Sequence, residues 1–172
     1  MCFPISPSTT YTLDSGNAST GWVGAIGNSH WVSNNPESGP TGNFISPDGT
    51  YVYTTTFTLD ASNYTGFLNV LADDTTDVWL NGHLIQASAA AGSDGHCQEF
   101  QPNCTLPLPV SLDGFLQAGV NVLTFDVKQT GEGAQGLDFD GTISQTPEPS
   151  SLLLLGTGLI GSAGALFRRM RA

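Results

Sequence analysis

The carboxylates that could do chemistry fall in two short runs: Asp73, Asp74 and Asp77 in "ADDTTDVWLNG", and Asp138 and Asp140 in "GLDFDGTI". Two carboxylates hydrolyse a glycoside when they face each other across a cleft. Three crowded into one turn, with no opposed partner, do not point to that arrangement. Asp73, Asp74 and Asp77, or Asp138 and Asp140, do offer the hard oxygen ligands that Ca²⁺ takes, without the spacing of an EF-hand. The plainer expectation is that Asp73 and Asp74 end a strand, their side chains accepting turn N–H groups. His30, His83 and His96 stand beside no Ser or Cys nucleophile motif, so the expectation is a non-enzyme. Cys97 and Cys104 in "HCQEFQPNC" would close a small disulfide loop in an exported protein. The competing reading is a metal site of His96, Cys97, Cys104 and His83, which lacks the tight Cys-x-x-Cys spacing of zinc. Cys2 is left over, whether free, intermolecular or part of a leader. Trp79, inside a strand pattern, is expected in the core. Trp31, beside the Asn- and Pro-rich "SNNPESGPTGN", is the candidate to stack on a sugar ring.

These side chains need a scaffold, and the pattern around them is one of strands. "TYVYTTTFTL" (50–59) alternates, with Tyr51, Tyr53, Phe57 and Leu59 on one face and Thr54, Thr56 and Thr58 on the other. "GFLNVLA" (66–72) is apolar on both faces, as a central strand would be. After Asp73-Asp74 the chain resumes as "TDVWL", turns at Asn81-Gly82 and returns as "HLIQ". Asn-Gly is a type I′ hairpin signal, because both turn residues need φ > 0. "NVLTFDV" (121–127) sets Leu123, Phe125 and Val127 on one face; "GLDFDGTI" sets Leu137, Phe139 and Ile143 against Asp138 and Asp140. Residues 34–49 and 87–105, rich in Asn, Pro, Gly and Ser, are expected as loops. Short strands between turn signals point to an all-β, two-sheet sandwich.

Charge narrows the function. Before Pro147 the only Lys or Arg is Lys128, against fourteen Asp and Glu, and the 172-residue chain carries a formal charge of −11. Nucleic-acid binding is excluded, since nothing neutralises phosphate. Such a surface keeps copies apart.

The chain then changes character. It ends "TPEPSSLLLLGTGLIGSAGALFRRMRA", with 16 uncharged residues from Leu152 to Phe167 and then Arg168, Arg169 and Arg171. As a helix that run would span roughly 24 Å, a little short of the ~20 residues a bilayer core needs. The arginines belong on the cytoplasmic side, so everything before Pro147 faces outward. Triplet, apolar run and basic end together resemble a PEP-CTERM sorting signal, a tag of Gram-negative bacteria that make extracellular polysaccharide. The resemblance implies an exosortase-type processing enzyme as partner in the inner membrane. Pro147, Glu148 and Pro149 would be its recognition element, 152–167 a transmembrane helix, and Arg168, Arg169 and Arg171 the membrane stop. It implies an exported protein, anchored in the inner membrane before processing and then at the cell surface or in the extracellular matrix. A sorted protein should begin with a signal peptide, yet Met1 is followed by "CFPISPSTTYTL", neither basic nor apolar enough. The expectation is that the true start lies upstream or that a leader has been removed.

Residues 20–145 resemble, more loosely, the galactose-binding-like jelly roll. The resemblance rests on an aromatic-bearing strand, the Asp-Asp…Val-Trp-Leu-Asn-Gly hairpin and a Gly-x-Asn-x-Leu strand (Gly119, Asn121, Leu123). It implies a jelly-roll β-sandwich over 1–145, followed by the sorting signal and its single hydrophobic helix over 146–172. It also implies that a structural Ca²⁺ is the one cofactor to consider, at Asp73, Asp74 and Asp77. The expected function is a non-catalytic envelope or matrix-associated protein. The alternative is a carbohydrate-binding module for an extracellular polysaccharide, with Trp31 at its site.

Overall fold

The computed structural model describes residues 9–14, 18, 21–61, 63–90, 97 and 100–146. Among these residues nine strands appear in chain order: β1 (Tyr11–Thr12), β2 (Val32–Ser33), β3 (Gly49–Leu59), β4 (Tyr64–Asp73), β5 (Thr75–Leu80), β6 (His83–Gln86), β7 (Leu108–Ser111), β8 (Gly119–Gln129) and β9 (Gly136–Gln145). They form two antiparallel sheets, ordered β1-β2-β9-β4-β7 and β3-β8-β5-β6. The all-β, two-sheet expectation holds. The strands β1, β2 and β7 carry too few residues for a period to declare itself, and the sequence did not show them.

One face of each sheet is apolar for the reason the alternation suggests: successive side chains point to opposite faces. Leu68, Val70, Ala72, Val110 and Leu137 come from the first sheet. Tyr53, Val78, Leu80, Leu123, Phe125 and Val127 come from the second, and together they make the main core. Phe125 and Phe139 meet across it, ring centroids 4.7 Å apart. The hairpin forms where expected: Asn81 has φ 53° and Gly82 φ 79°, and Leu80 pairs with His83. Asn81 also reaches beyond its own turn. Its amide donates to Asn121 Oδ1 at 2.9 Å and to the Phe115 carbonyl at 2.8 Å, while its Oδ1 accepts from Val122 N at 2.9 Å. The Asn-Gly turn and the Gly-x-Asn-x-Leu strand, some forty residues apart, are thus one clamp.

Asp73 and Asp74 do end a strand, and they do more. β4 lies in the first sheet and β5 in the second, so these two residues carry the chain from one layer to the other. Trp79 departs from expectation. Its neighbours Val78 and Leu80 take the core positions, so its ring lies half-buried on the outer face of the second sheet.

The first sheet has a covered outer half. Leu71 points away from the main core and packs with Leu13, Ala18, Trp22, Trp31 and Cys104 in a satellite cluster. The covering backbone is stitched down by Leu13 N to the Trp31 carbonyl (2.8 Å), Val23 N to the Cys104 carbonyl (3.1 Å) and Ala72 N to the Asn103 carbonyl (3.1 Å). Among the described residues no helix is long and apolar enough to cross a membrane; the expected helix over 152–167 lies outside them.

Candidate functional site

The three clustered carboxylates of the sequence diverge in the fold. Asp73 is 3% exposed and turns to the satellite cluster, where Oδ2 accepts from Trp22 Nε1 at 2.6 Å and Oδ1 from Cys97 N at 3.4 Å. Asp74 Oδ2 accepts from Thr130 N (2.8 Å) and Thr130 Oγ1 (3.0 Å), and its other oxygen is buried without a partner among the described residues. Asp77 lies on the outer face of the second sheet, 2.9 Å from Lys128 Nζ, with Ser88 N donating to it at 2.7 Å. Chain connectivity alone had put them together, so they do not form one cage for Ca²⁺.

Their electrostatics diverge too. Burial pushes the Asp73 carboxyl up to about 8, and the neighbouring Asp74 adds to the rise; the Trp22 N–H pulls against it. Burial also raises Asp77, but the Ser88 N–H and the Lys128 ammonium outweigh it and hold that carboxyl below its ordinary value. Asp138, 1% exposed, accepts from Ile26 N at 2.8 Å, and burial pushes its carboxyl upward. It anchors the covering segment to β9.

Trp31 is not a sugar platform. It is 1% exposed, its ring stacks on Trp22 at 4.2 Å, and its Nε1 donates to the Val23 carbonyl at 3.1 Å. Gly136 makes room for this pair: a Cβ there would sit 2.5 Å from Trp22 Cη2. A strand-end Trp beside a polar loop looks available in sequence, but Leu13, Trp22, Leu71 and Cys104 close around it. Cys97 and Cys104 are joined as a disulfide, Cα atoms 5.3 Å apart. One carboxyl oxygen of Asp73 and the two sulfurs lie within 4.8 Å of one another. His83 sits at the hairpin against Phe115, away from this cluster, and His96 and Cys2 lie outside the described residues.

A trough was not foreseen. On the uncovered half of the first sheet, Phe67 is 47% exposed. Ser111 of β7 and Thr142 of β9 flank it in register. With Thr65, Ser144 and Asp113 they line a shallow trough of about 290 Å³. Asp113 is held at the rim, accepting from Gly66 N at 2.9 Å. The sequence carried one sign of it: a strand apolar on both faces, of which, among the described residues, only the Leu71 end is roofed.

The trough stands beside the end of β9, where the domain meets the tail. Residues 145–171 match the PEP-CTERM protein-sorting motif. That motif implies sorting by an exosortase-type enzyme, from an exported, membrane-anchored precursor that is processed. The start of the PEP-CTERM segment is built into the sandwich: Thr146 N donates to the Asn63 carbonyl (2.8 Å), Thr146 Oγ1 donates to the same carbonyl (2.7 Å), and Asn63 Nδ2 donates to the Thr146 carbonyl (3.1 Å). Pro147, Glu148, Pro149, Arg168, Arg169 and Arg171 lie outside the described residues. No curated protein and no solved structure matches the chain.

Proposed function

We propose that this is a non-catalytic envelope protein, delivered by its PEP-CTERM segment to the cell surface or the extracellular matrix. The observation that carries the reading is the sorting motif, entered directly from β9 with Thr146 clamped to Asn63. In this reading 152–167 spans the inner membrane, Arg168, Arg169 and Arg171 stop transfer on the cytoplasmic side, and cleavage falls near Pro147-Glu148-Pro149. The engagement of Asp73, Asp74 and Asp77 in structural hydrogen bonds supports the non-catalytic part. A galactose-binding-like jelly roll is the finer fold we infer, supported by a chain that changes sheet between β2 and β3, β3 and β4, β4 and β5, β6 and β7, β7 and β8, and β8 and β9. The test is expression with a leader in a host that has an exosortase and in a matched strain lacking it. Tail removal and surface display only in the first are expected; identical fates in both would leave a plain anchor.

The trough favours a second reading, the carbohydrate-binding module, with its site moved from Trp31 to Phe67. An exposed ring flanked by hydroxyls suits the apolar face and hydroxyl rim of a pyranose, and the acidic surface favours a neutral glycan. A glycan array with and without Ca²⁺ decides it: saturable binding to one neutral class, lost in Phe67→Ala, is the result that would establish this reading.

A further inference from the structure

The disulfide and the buried acid beside it have a joint chemistry. Cys104 is wholly buried and Cys97 half-buried, so an incoming thiolate reaches Cys97 Sγ first and expels the sulfur of Cys104. That sulfur would leave into the satellite cluster of Trp22, Trp31 and Leu71. An apolar pocket disfavours a bare thiolate. No described cation is placed to steady it: Lys128, the only Lys or Arg before the tail, is paired with Asp77. What does stand there is the Asp73 carboxyl, within 4.8 Å of both sulfurs and tied to the Cys97 backbone.

We propose that Cys97–Cys104 is an exchangeable disulfide that reacts with small thiols, with Asp73 as the buried general acid that protonates Cys104 as its sulfur leaves. In the forward step a thiolate R–S⁻ bonds to Cys97 Sγ and the Cys97–Cys104 bond breaks. Its electron pair goes to Cys104 Sγ, which takes the Asp73 proton. The products are the mixed disulfide R–S–S–Cys97, the Cys104 thiol and the Asp73 carboxylate. A second thiolate releases Cys97 as a thiolate to solvent, closing R–S–S–R; two external thiolates are oxidised and one disulfide reduced. Reoxidation runs the same path backward, Asp73 carboxylate taking the proton from Cys104 as its sulfur attacks. The other ionisable group acting on Asp73 is Asp74, next in the chain; Asp138 on β9 pairs with Leu71, two residues before Asp73, and His96 and Glu99 flank Cys97 and lie outside the described residues. Because burial holds Asp73 protonated to about pH 8, the acid is charged with its proton at neutral pH.

The test uses the full chain in detergent, purified without reductant. β-Mercaptoethanol reduces it at pH 6 to 10, and mass spectrometry of alkylated cysteines follows the reaction. Each rate is divided by the reagent's thiolate fraction. Proton donation predicts a normalised rate that is level to about pH 8 and falls above it. In Asp73→Asn, which keeps an acceptor for Trp22, the rate is expected to be about a hundredfold lower at pH 7 and flat, the lower end of what general acids contribute. Asp74→Asn, which removes a neighbour that raises the acid, should move the fall to lower pH. Reduction through simple opening of the loop gives the opposite sign, a normalised rate rising with pH as charged Asp73 loosens its surroundings. A rising or flat wild-type profile, or an Asp73→Asn profile that superimposes on it, overturns the proposal, and the wild-type profile alone suffices if the variant fails to fold.

Discussion

Asp73→Asn should make this protein more stable at neutral pH. The wild-type carboxyl titrates at about 8 in the fold against an ordinary 3.8. Below pH ~4 the folded and unfolded chains both carry the proton and the acid costs nothing. Between those two values the unfolded chain has released it and the folded protein has not. Stability then falls by about 1.4 kcal/mol for each pH unit, and stops falling above pH ~8. From pH 5 to pH 7 the loss is roughly 3 kcal/mol, and at 3% exposure solvent does little to dilute it. Asn keeps an oxygen for Trp22 Nε1 and has no proton to lose. Urea unfolding of both proteins at pH 5, 6 and 7 gives the gap between them. Taking that gap cancels the general repulsion of a chain at −11, which both share to within one charge. The gap should widen in favour of the variant by a few kcal/mol toward pH 7. Parallel curves, or a gap that widens toward acid, would refute the account of a buried acid held neutral.

Gly136→Ala places a Cβ 2.5 Å from the Trp22 ring and should cost about 1–3 kcal/mol, read as a lower urea midpoint with quenched or shifted tryptophan emission. Replacing Cys97 and Cys104 together by Ser opens the eight-residue loop they close; roughly 2–3 kcal/mol should be lost, measured under non-reducing conditions. Lys128→Met breaks the pair with Asp77, whose side chains are 38% and 18% exposed. Despite removing the one cation before the tail, it should cost no more than about 1 kcal/mol in the same assay.

Much of the scaffold is legible in the residues themselves. Period-two alternation names the buried faces of β3, β8 and β9, because a pleated strand must send neighbours to opposite sides. Asn81-Gly82 names its hairpin, because few other pairs tolerate two positive φ angles. The PEP-CTERM segment is legible because its triplet, apolar run and basic end act in linear order. Alternation says which side chains share a face, but not what covers that face or which sheet the strand joins. Hence Trp31, the ring the sequence offers to a sugar, is buried, and Phe67 is the ring left exposed. Leu13, Leu71 and Cys104, distant in sequence, pack over Trp31, and no described segment covers Phe67. Asp73, Asp74 and Asp77 look like one cluster because chain distance is all a sequence displays. The crossing between sheets sends them to three different surroundings. The proton on Asp73 is decided later still, by burial and the neighbouring Asp74 against the pull of the Trp22 and Cys97 N–H groups, and desolvation is a property of the packed fold.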